Sequence, residues 1–265
     1  MKFMKRMVCA ALILGFIAGL MVSCEKKETA QGGPADKIRN AGVLRVGVKS
    51  DVPGFGLQNP ATGLYEGLEI ELAKRIAQEI FGDSSKVAFT PVTAKTRGPL
   101  VDNGDVDLIL ATFTVTEERK LTYNFSTTYY TDAVGMLVKK AAGISGLKDL
   151  GGKTIGVAQS ATSRVAIKDA GDKIGVSFSF SEFATYPEIK AALDSGRVDV
   201  FSVDKSILAG YLDNETVILP EAFSPQEYGI VSKKSNTELA SYIDGLIKKW
   251  LSDGTIAGLV SQFNL

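Results

Sequence analysis

The sequence predicts an α/β protein built as two similar halves, and three observations carry that prediction. Short valine-rich runs alternate with amphipathic runs, the pattern of a parallel sheet covered by helices. One plan, helix to glycine to buried strand to polar loop, occurs twice along the chain. The 265 residues are 45% hydrophobic and 23% charged, enough apolar material for one large core or two smaller ones.

Residues 43–48, "VLRVGV", alternate and read as the first strand. After a loop with Pro53, Gly54 and Gly56, the segment "GLEIELAKRIAQEIFG" spaces Leu72, Ala73, Ile76, Ala77 and Ile80 as one helix face, stopped by Gly82. Residues 87–92 form a second strand, 97–103 a short helix ending near Gly104, and 106–111 a third strand. A second unit opens with "KTIGVAQSATSRVAI", which is strand, loop and helix. It continues with "FATYPEIKAALDSGRVDVFSVDKS", which is strand end, helix, glycine and strand. Asp102, Gly104, Val106 and Asp107 align with Asp194, Gly196, Val198 and Asp199. The glycines suit helix stops, since glycine enters the left-handed region without strain. Asp107 and Asp199 are read as structural, bonding to nearby backbone. Open αβ sheets bind ligands beyond the carboxyl ends of their strands. Thr112, Thr114 and Arg119 lie at such an end in the first half, and Asp204 at the matching end of the second.

Lys2, Lys5 and Arg6 precede an apolar run over 7–22, too short to span a bilayer, and Ser23-Cys24 follows. "MVSC" resembles a lipobox. Residues 1–23 are therefore expected to be a lipoprotein signal peptide, Cys24 the lipidated residue and 24–34 a flexible tether. Loss of 1–23 removes three bases and no acid, leaving a slightly acidic chain without the basic footprint of a nucleic-acid binder. Cys9 leaves with the signal, so no internal disulfide is expected. The chain has no histidine, which excludes Ser-His-Asp and Cys-His catalysis and histidine metal sites. No GxSxG, P-loop, GxGxxG or CxxC occurs either. No metal or cofactor is expected, and binding is favoured over catalysis.

"LRVGVKSD", "YEGLEIELAKRIA", "VDLILATFTVTEERK", "NFSTTYYTDAVGMLVKK", "LKDLGGKTIGVAQSAT" and "EYGIVSKKS" resemble, in this order, the family 3 solute-binding proteins of polar amino-acid ABC importers. The resemblance runs from about residue 35 to the C-terminus. It implies the two-lobe, type II periplasmic-binding-protein fold with two crossing hinge segments, near 136–141 and 224–230. Lobe 1 is then expected over 35–138 and 229–265, and lobe 2 over 139–228.

The resemblance makes Arg119 the anchor for a ligand carboxylate, helped by Thr114 and the backbone at Thr112. A guanidinium fork suits that role; the bland alternative is a surface arginine paired with Glu117 or Glu118. Asp204 corresponds to the family's ammonium anchor, although alone it reads equally as a helix N-cap. Thr162 and Ser163, opening a helix, would reach the α-carboxylate. Lys49 and Arg97 stand after the first two strands and resemble the aspartate/glutamate-binding branch. Their alternatives are solvation for Lys49 and pairing with Asp102 or Asp105 for Arg97. Tyr186 offers a hydroxyl to the site or a ring to the packing, and Phe113 and Phe55 either wall the cleft or lie in the core. Trp250 is assigned to packing.

The expectation is a monomeric, lipid-anchored protein of the bacterial cell envelope. It would sit outside the cytoplasmic membrane or in the periplasm, capturing glutamate or aspartate by hinge closure for an ABC permease complex. Binding of glutamine or another polar amino acid is the alternative, with a sensor or an enzyme on the same fold as further rivals.

Overall fold

The computed structural model describes Gly33 and residues 35–265, and the predicted alternation appears there as two sheets. The expected signal segment, Cys24 and the tether other than Gly33 lie outside the described residues. The first lobe runs through α1 (Asp36–Ala41), β1 (Leu44–Val48), a ribbon of β2 (Asp51–Val52), β3 (Gly56–Gln58) and β4 (Tyr65–Glu66), and α2 (Leu68–Phe81). It continues through β5 (Val87–Pro91), α3 (Arg97–Asn103), β6 (Leu108–Leu110), α4 (Glu117–Thr122) and β7 (Tyr123–Phe125). The second lobe holds β8 (Tyr130–Lys139), β9 (Thr154–Ala158), α5 (Ser163–Ile174), β10 (Ser179–Phe183), α6 (Tyr186–Asp194) and β11 (Val200–Asp204). After it come α7 (Lys205–Ala209), β12 (Thr216–Ile218) and β13 (Phe223–Tyr228). The chain then returns to the first lobe as β14 (Val231–Lys233), α8 (Thr237–Ser252) and α9 (Thr255–Gln262).

The first sheet has the order β5-β1-β6-β14-β7, with β1 parallel to β5 and β6 and the returning β14 antiparallel to β6 and β7. The second has the order β10-β9-β11-β8-β12, with β13 paired to β8. The helical stripe Leu72, Ala73, Ile76, Ala77 and Ile80 is buried as its spacing requires. Each such aliphatic side chain contributes about 1.5–3 kcal/mol on full burial, an amount diminished for alanine. Leu239, Ile243, Leu246, Ile247 and Trp250 of α8 share that core, which ties the C-terminal segment to the first lobe.

The crossing differs from the expectation. All of β8, from Tyr130, belongs to the second sheet, because it pairs antiparallel with β11 from Val200↔Val138 to Asp204↔Val134. The chain therefore leaves the first lobe just after β7 rather than near residue 138. β13 lies against the start of β8, Tyr228 opposite Tyr130, so both connections pass between the lobes side by side.

The internal repeat is physical. Gly104 and Gly196 close α3 and the end of α6 at φ 84° and 74°, where a side chain would be strained. Asp107 and Asp199 each donate a backbone N–H over 2.8 Å, to the carbonyls of Arg45 and Thr154. Their carboxylates accept the N–H groups of those same two residues, at 2.9 and 2.8 Å. Among the described residues no helix is long and apolar enough to cross a membrane.

Candidate functional site

β6 stops at Leu110, and the chain then turns through Thr112 at φ 45°. This left-handed kink takes the carbonyls of Ala111 and Thr112 out of the sheet ladder, and Arg97 claims them. Its Nη1 donates to Ala111 O at 2.5 Å and Thr112 O at 2.9 Å. Arg97 is 3% exposed, and its guanidinium lies over the Phe113 ring at 4.0 Å. Its alternative partners, Asp102 and Asp105, do not engage it.

Arg119 sits in the first turn of α4, where the Thr116 hydroxyl accepts its backbone N–H at 3.1 Å. The side chain lies over the same Phe113 ring at 4.7 Å. Nη1 donates to Thr114 O at 2.7 Å, and Nη2 reaches Ser160 O of the second lobe at 3.1 Å. Glu117 forms its ion pair with Lys120 instead. Neither guanidinium has a carboxylate partner among the ion pairs of the described residues. Burial lowers both from the usual arginine value, and their mutual repulsion adds to that for Arg119.

Across the cleft, β11 ends on Asp204, buried and at the N-cap position of α7. Its side chain makes no cap bond. Asp132 of β8 performs that task, accepting the Ser206 N–H at 2.9 Å and the Ser206 hydroxyl. Asp204 is thereby released, and it accepts the Tyr228 hydroxyl. Burial pushes its carboxyl up to about 7, against the Tyr228 bond, which favours the ionised form. Arg97 and Arg119 are close enough for their fields to pull it down.

Lys49 corrects an expectation. It is buried rather than solvated, and it is no spare cation: Nζ lies 3.0 Å from Asp51 Oδ1 and 4.5 Å from the centre of the Tyr186 ring. Tyr186, the first residue of α6, is buried against it, and its N–H donates to Asp51 Oδ2 at 3.3 Å. Tyr211 donates its hydroxyl to the Asp51 carbonyl, so Asp51 fastens the second lobe as well as Lys49.

Thr114 and Thr162 meet through a residue that sequence reasoning missed. Gln226 of β13 is buried, and its Oε1 accepts the Thr114 hydroxyl at 2.8 Å and the Thr162 hydroxyl at 2.6 Å. Nε2 donates to Ser224 O at 3.0 Å. Each threonine thus spends its only hydroxyl proton on Gln226 and turns lone pairs elsewhere. Ser163 is buried at the start of α5, with a hydroxyl that has no partner among the described residues. A cleft of about 1200 Å³ adjoins this group, its wall including Thr114, Arg119, Ser160, Thr162 and Gln226.

Glu69 was also missed. It lies on α2, fully buried, with Oε1 accepting the Thr112 N–H at 2.6 Å and the Tyr129 hydroxyl. Its signal was present, because it falls one turn before Leu72 and Ala73 on the apolar stripe. Gln226 carried a weaker one, alternating with the buried Tyr228 along β13. Of the two doubtful rings, Phe113 carries the guanidiniums, whereas Phe55 is core, edge-on to Tyr130 at 5.1 Å.

The arrangement offers one buried and one half-buried guanidinium to an anion and one buried carboxylate to a cation, divided between two lobes. Comparison with known proteins identifies the family. The ABC transporter glutamine-binding protein GlnH of Bacillus subtilis (strain 168) is 37% identical over 263 residues, 95% of this chain and 94% of its own. A glutamine-binding protein of Geobacillus stearothermophilus is 40% identical over 211 residues, 78% of this chain and 79% of its own. The crystal structure of a cysteine-binding protein from Campylobacter jejuni superposes with a TM-score of 0.79 at 30% identity, covering 88% of this chain and 93% of that one. The model of the bacterial extracellular solute-binding proteins, family 3, matches residues 44–265, and the chain belongs to that family.

Proposed function

We propose that this solute-binding protein of an amino-acid ABC importer captures glutamate or aspartate and delivers it to the permease. The observation that carries the reading is the pair of guanidiniums, Arg97 buried and Arg119 half-buried, answered by backbone carbonyls and facing Asp204. Neither forms an ion pair with a carboxylate among the described residues, and an arriving anion offsets the cost of desolvating them, so the site favours an anionic occupant. Arg119 takes the α-carboxylate, Asp204 the α-ammonium, and Arg97 the side-chain carboxylate. Ser163 supplies a free hydroxyl to the α-carboxylate, and Thr112 contributes backbone. Thr114 and Thr162 support the site through Gln226, and Lys49, neutralised by Asp51, shapes the pocket beside Tyr186.

Each lobe holds part of the ligand, so the ligand stabilises the closed arrangement by its differential affinity for it. Small-angle scattering should show compaction on ligand addition; an unchanged radius of gyration would argue against closure. Lipidation at Cys24 places the protein on the outer side of a membrane. Loss of lipid label in Cys24→Ala, with release of the protein from membranes, tests that placement.

Glutamine is the second reading. It is favoured by the names of the two relatives and by the Lys49–Asp51 pair, which leaves one cation rather than two for the ligand side chain. Calorimetric titration with aspartate, glutamate, glutamine, arginine and histidine decides. Acidic amino acids should bind more tightly than glutamine, and arginine and histidine should not bind. A preference for glutamine would replace the first reading by the second, and consumption of the ligand would turn the protein into an enzyme.

A further inference from the structure

Glu69 spends only one of its two carboxylate oxygens on the fold. Both of its hydrogen bonds, from the Thr112 N–H and the Tyr129 hydroxyl, end on one oxygen, Oε1. Oε2 is buried with no hydrogen-bond partner among the described residues. A glutamine could accept the same two donors through its own Oε1. Burying a charge is costly, so the charge needs a reason of its own.

That reason lies on the other side of Thr112. Its N–H is held by Glu69, and its carbonyl is held by Arg97. One residue, kinked at φ 45°, thus joins the carboxylate to the guanidinium. The charged and titratable groups facing Glu69 are Arg97, Lys49 and the Tyr129 hydroxyl, and Lys49 already has Asp51. Glu69 is therefore the counter-charge left for Arg97 within its own lobe.

We propose that Glu69 determines discrimination between an acidic ligand and its amide. It balances Arg97 in the empty site, and it takes a proton from bulk water when a second ligand carboxylate arrives. A neutral amide at Arg97 leaves Glu69 ionised. The inference rests on the proposed ligand class, because it requires a ligand side chain at Arg97. Burial already holds the Glu69 carboxyl up at about 6, against the pull of its hydrogen bonds and of Arg97 and Lys49, so protonation is within reach near neutrality. Asp204 also changes its proton occupancy on binding; it feels Arg97 as well, but the bound α-ammonium holds it ionised with acid and amide alike, so it adds little to the difference between them.

The test is calorimetry of the intact protein with glutamate and with glutamine, at pH 7, in buffers of differing ionisation enthalpy. Glutamate should take up more protons than glutamine. Its affinity relative to glutamine should rise about fivefold from pH 7 to pH 6, as the fraction of protonated Glu69 rises. In Glu69→Gln the proton difference should vanish, and glutamate should gain about tenfold in affinity relative to glutamine at pH 7. Equal proton uptake for the two ligands in the wild type overturns the inference and needs no variant. A difference that persists in Glu69→Gln assigns the proton to another group, such as Lys49, and overturns it too. Binding of neither ligand would defeat the ligand assignment itself, whereas binding of both with equal proton counts would defeat only the role of Glu69.

Discussion

The ends of β6 and β11 begin from one plan and finish with opposite charge. Both strands follow a helix stopped by a left-handed glycine, and both are pinned by an aspartate that bonds to the start of the neighbouring strand. Beyond that point β11 stays paired with β8 as far as Asp204, so its backbone groups are engaged and only a side chain can bring charge to the cleft. β6 gives up its ladder at Leu110. The freed carbonyls of Ala111, Thr112 and Thr114 become acceptors, and two arginines gather on them. The shared part of the repeat is scaffold. The part that differs is the part that sets the charge at each strand end, because unpaired carbonyls collect cations whereas a fully paired strand end does not.

Variants that strip one end and spare the other separate these roles. Arg119→Ala should have the largest effect. It removes the cation that also reaches Ser160 of the second lobe, and affinity for every amino acid should fall on the order of a hundredfold or more by calorimetry. Retained binding would move the carboxylate anchor elsewhere. Asp204→Asn should lose about ten- to a hundredfold for all ligands, and it should also flatten the pH profile for glutamine. In the wild type the Asp204 carboxyl is raised to about 7, and the bound ammonium requires it ionised. Glutamine affinity should therefore fall as pH drops through 7, by about tenfold at pH 6.

Arg97→Ala is selective by expectation: acidic ligands should weaken at least tenfold more than glutamine, in line with a lost charge-assisted contact. Equal losses would assign Arg97 to structure alone. Gln226→Ala should be mildest, a loss of severalfold. It breaks the bridge between Thr114 and Thr162 but leaves every charge in place. Scattering from the ligand-free variant should show a larger radius of gyration, and an unchanged one would show that the bridge does not help hold the lobes together.

The residues that could be read in advance announce themselves locally. Arg119, Thr114 and Asp204 follow recognisable strands, and the α2 stripe follows from its period. Lys49 was legible as a cation near the cleft, but not as a neutralised one, since its partner Asp51 acts through a side-chain geometry that no spacing rule contains. The Asp204 ambiguity was real in one dimension. The cap reading fell away only because Asp132, 72 positions earlier and brought alongside by β8, caps α7 instead. Gln226 and Thr114 are 112 positions apart and meet only because both lobes lean on β13.

Local order by itself determined the αβ alternation, the repeat, the glycine stops and the identity of the charged groups at the strand ends. Those features depend on dihedral preference and on the period of apolar residues, which neighbouring positions encode. Only the tertiary structure decided which charges are spent on one another and which stay unanswered. That outcome depends on burial and on distances of a few ångströms between residues far apart in the chain, where each charge is weighed against its desolvation.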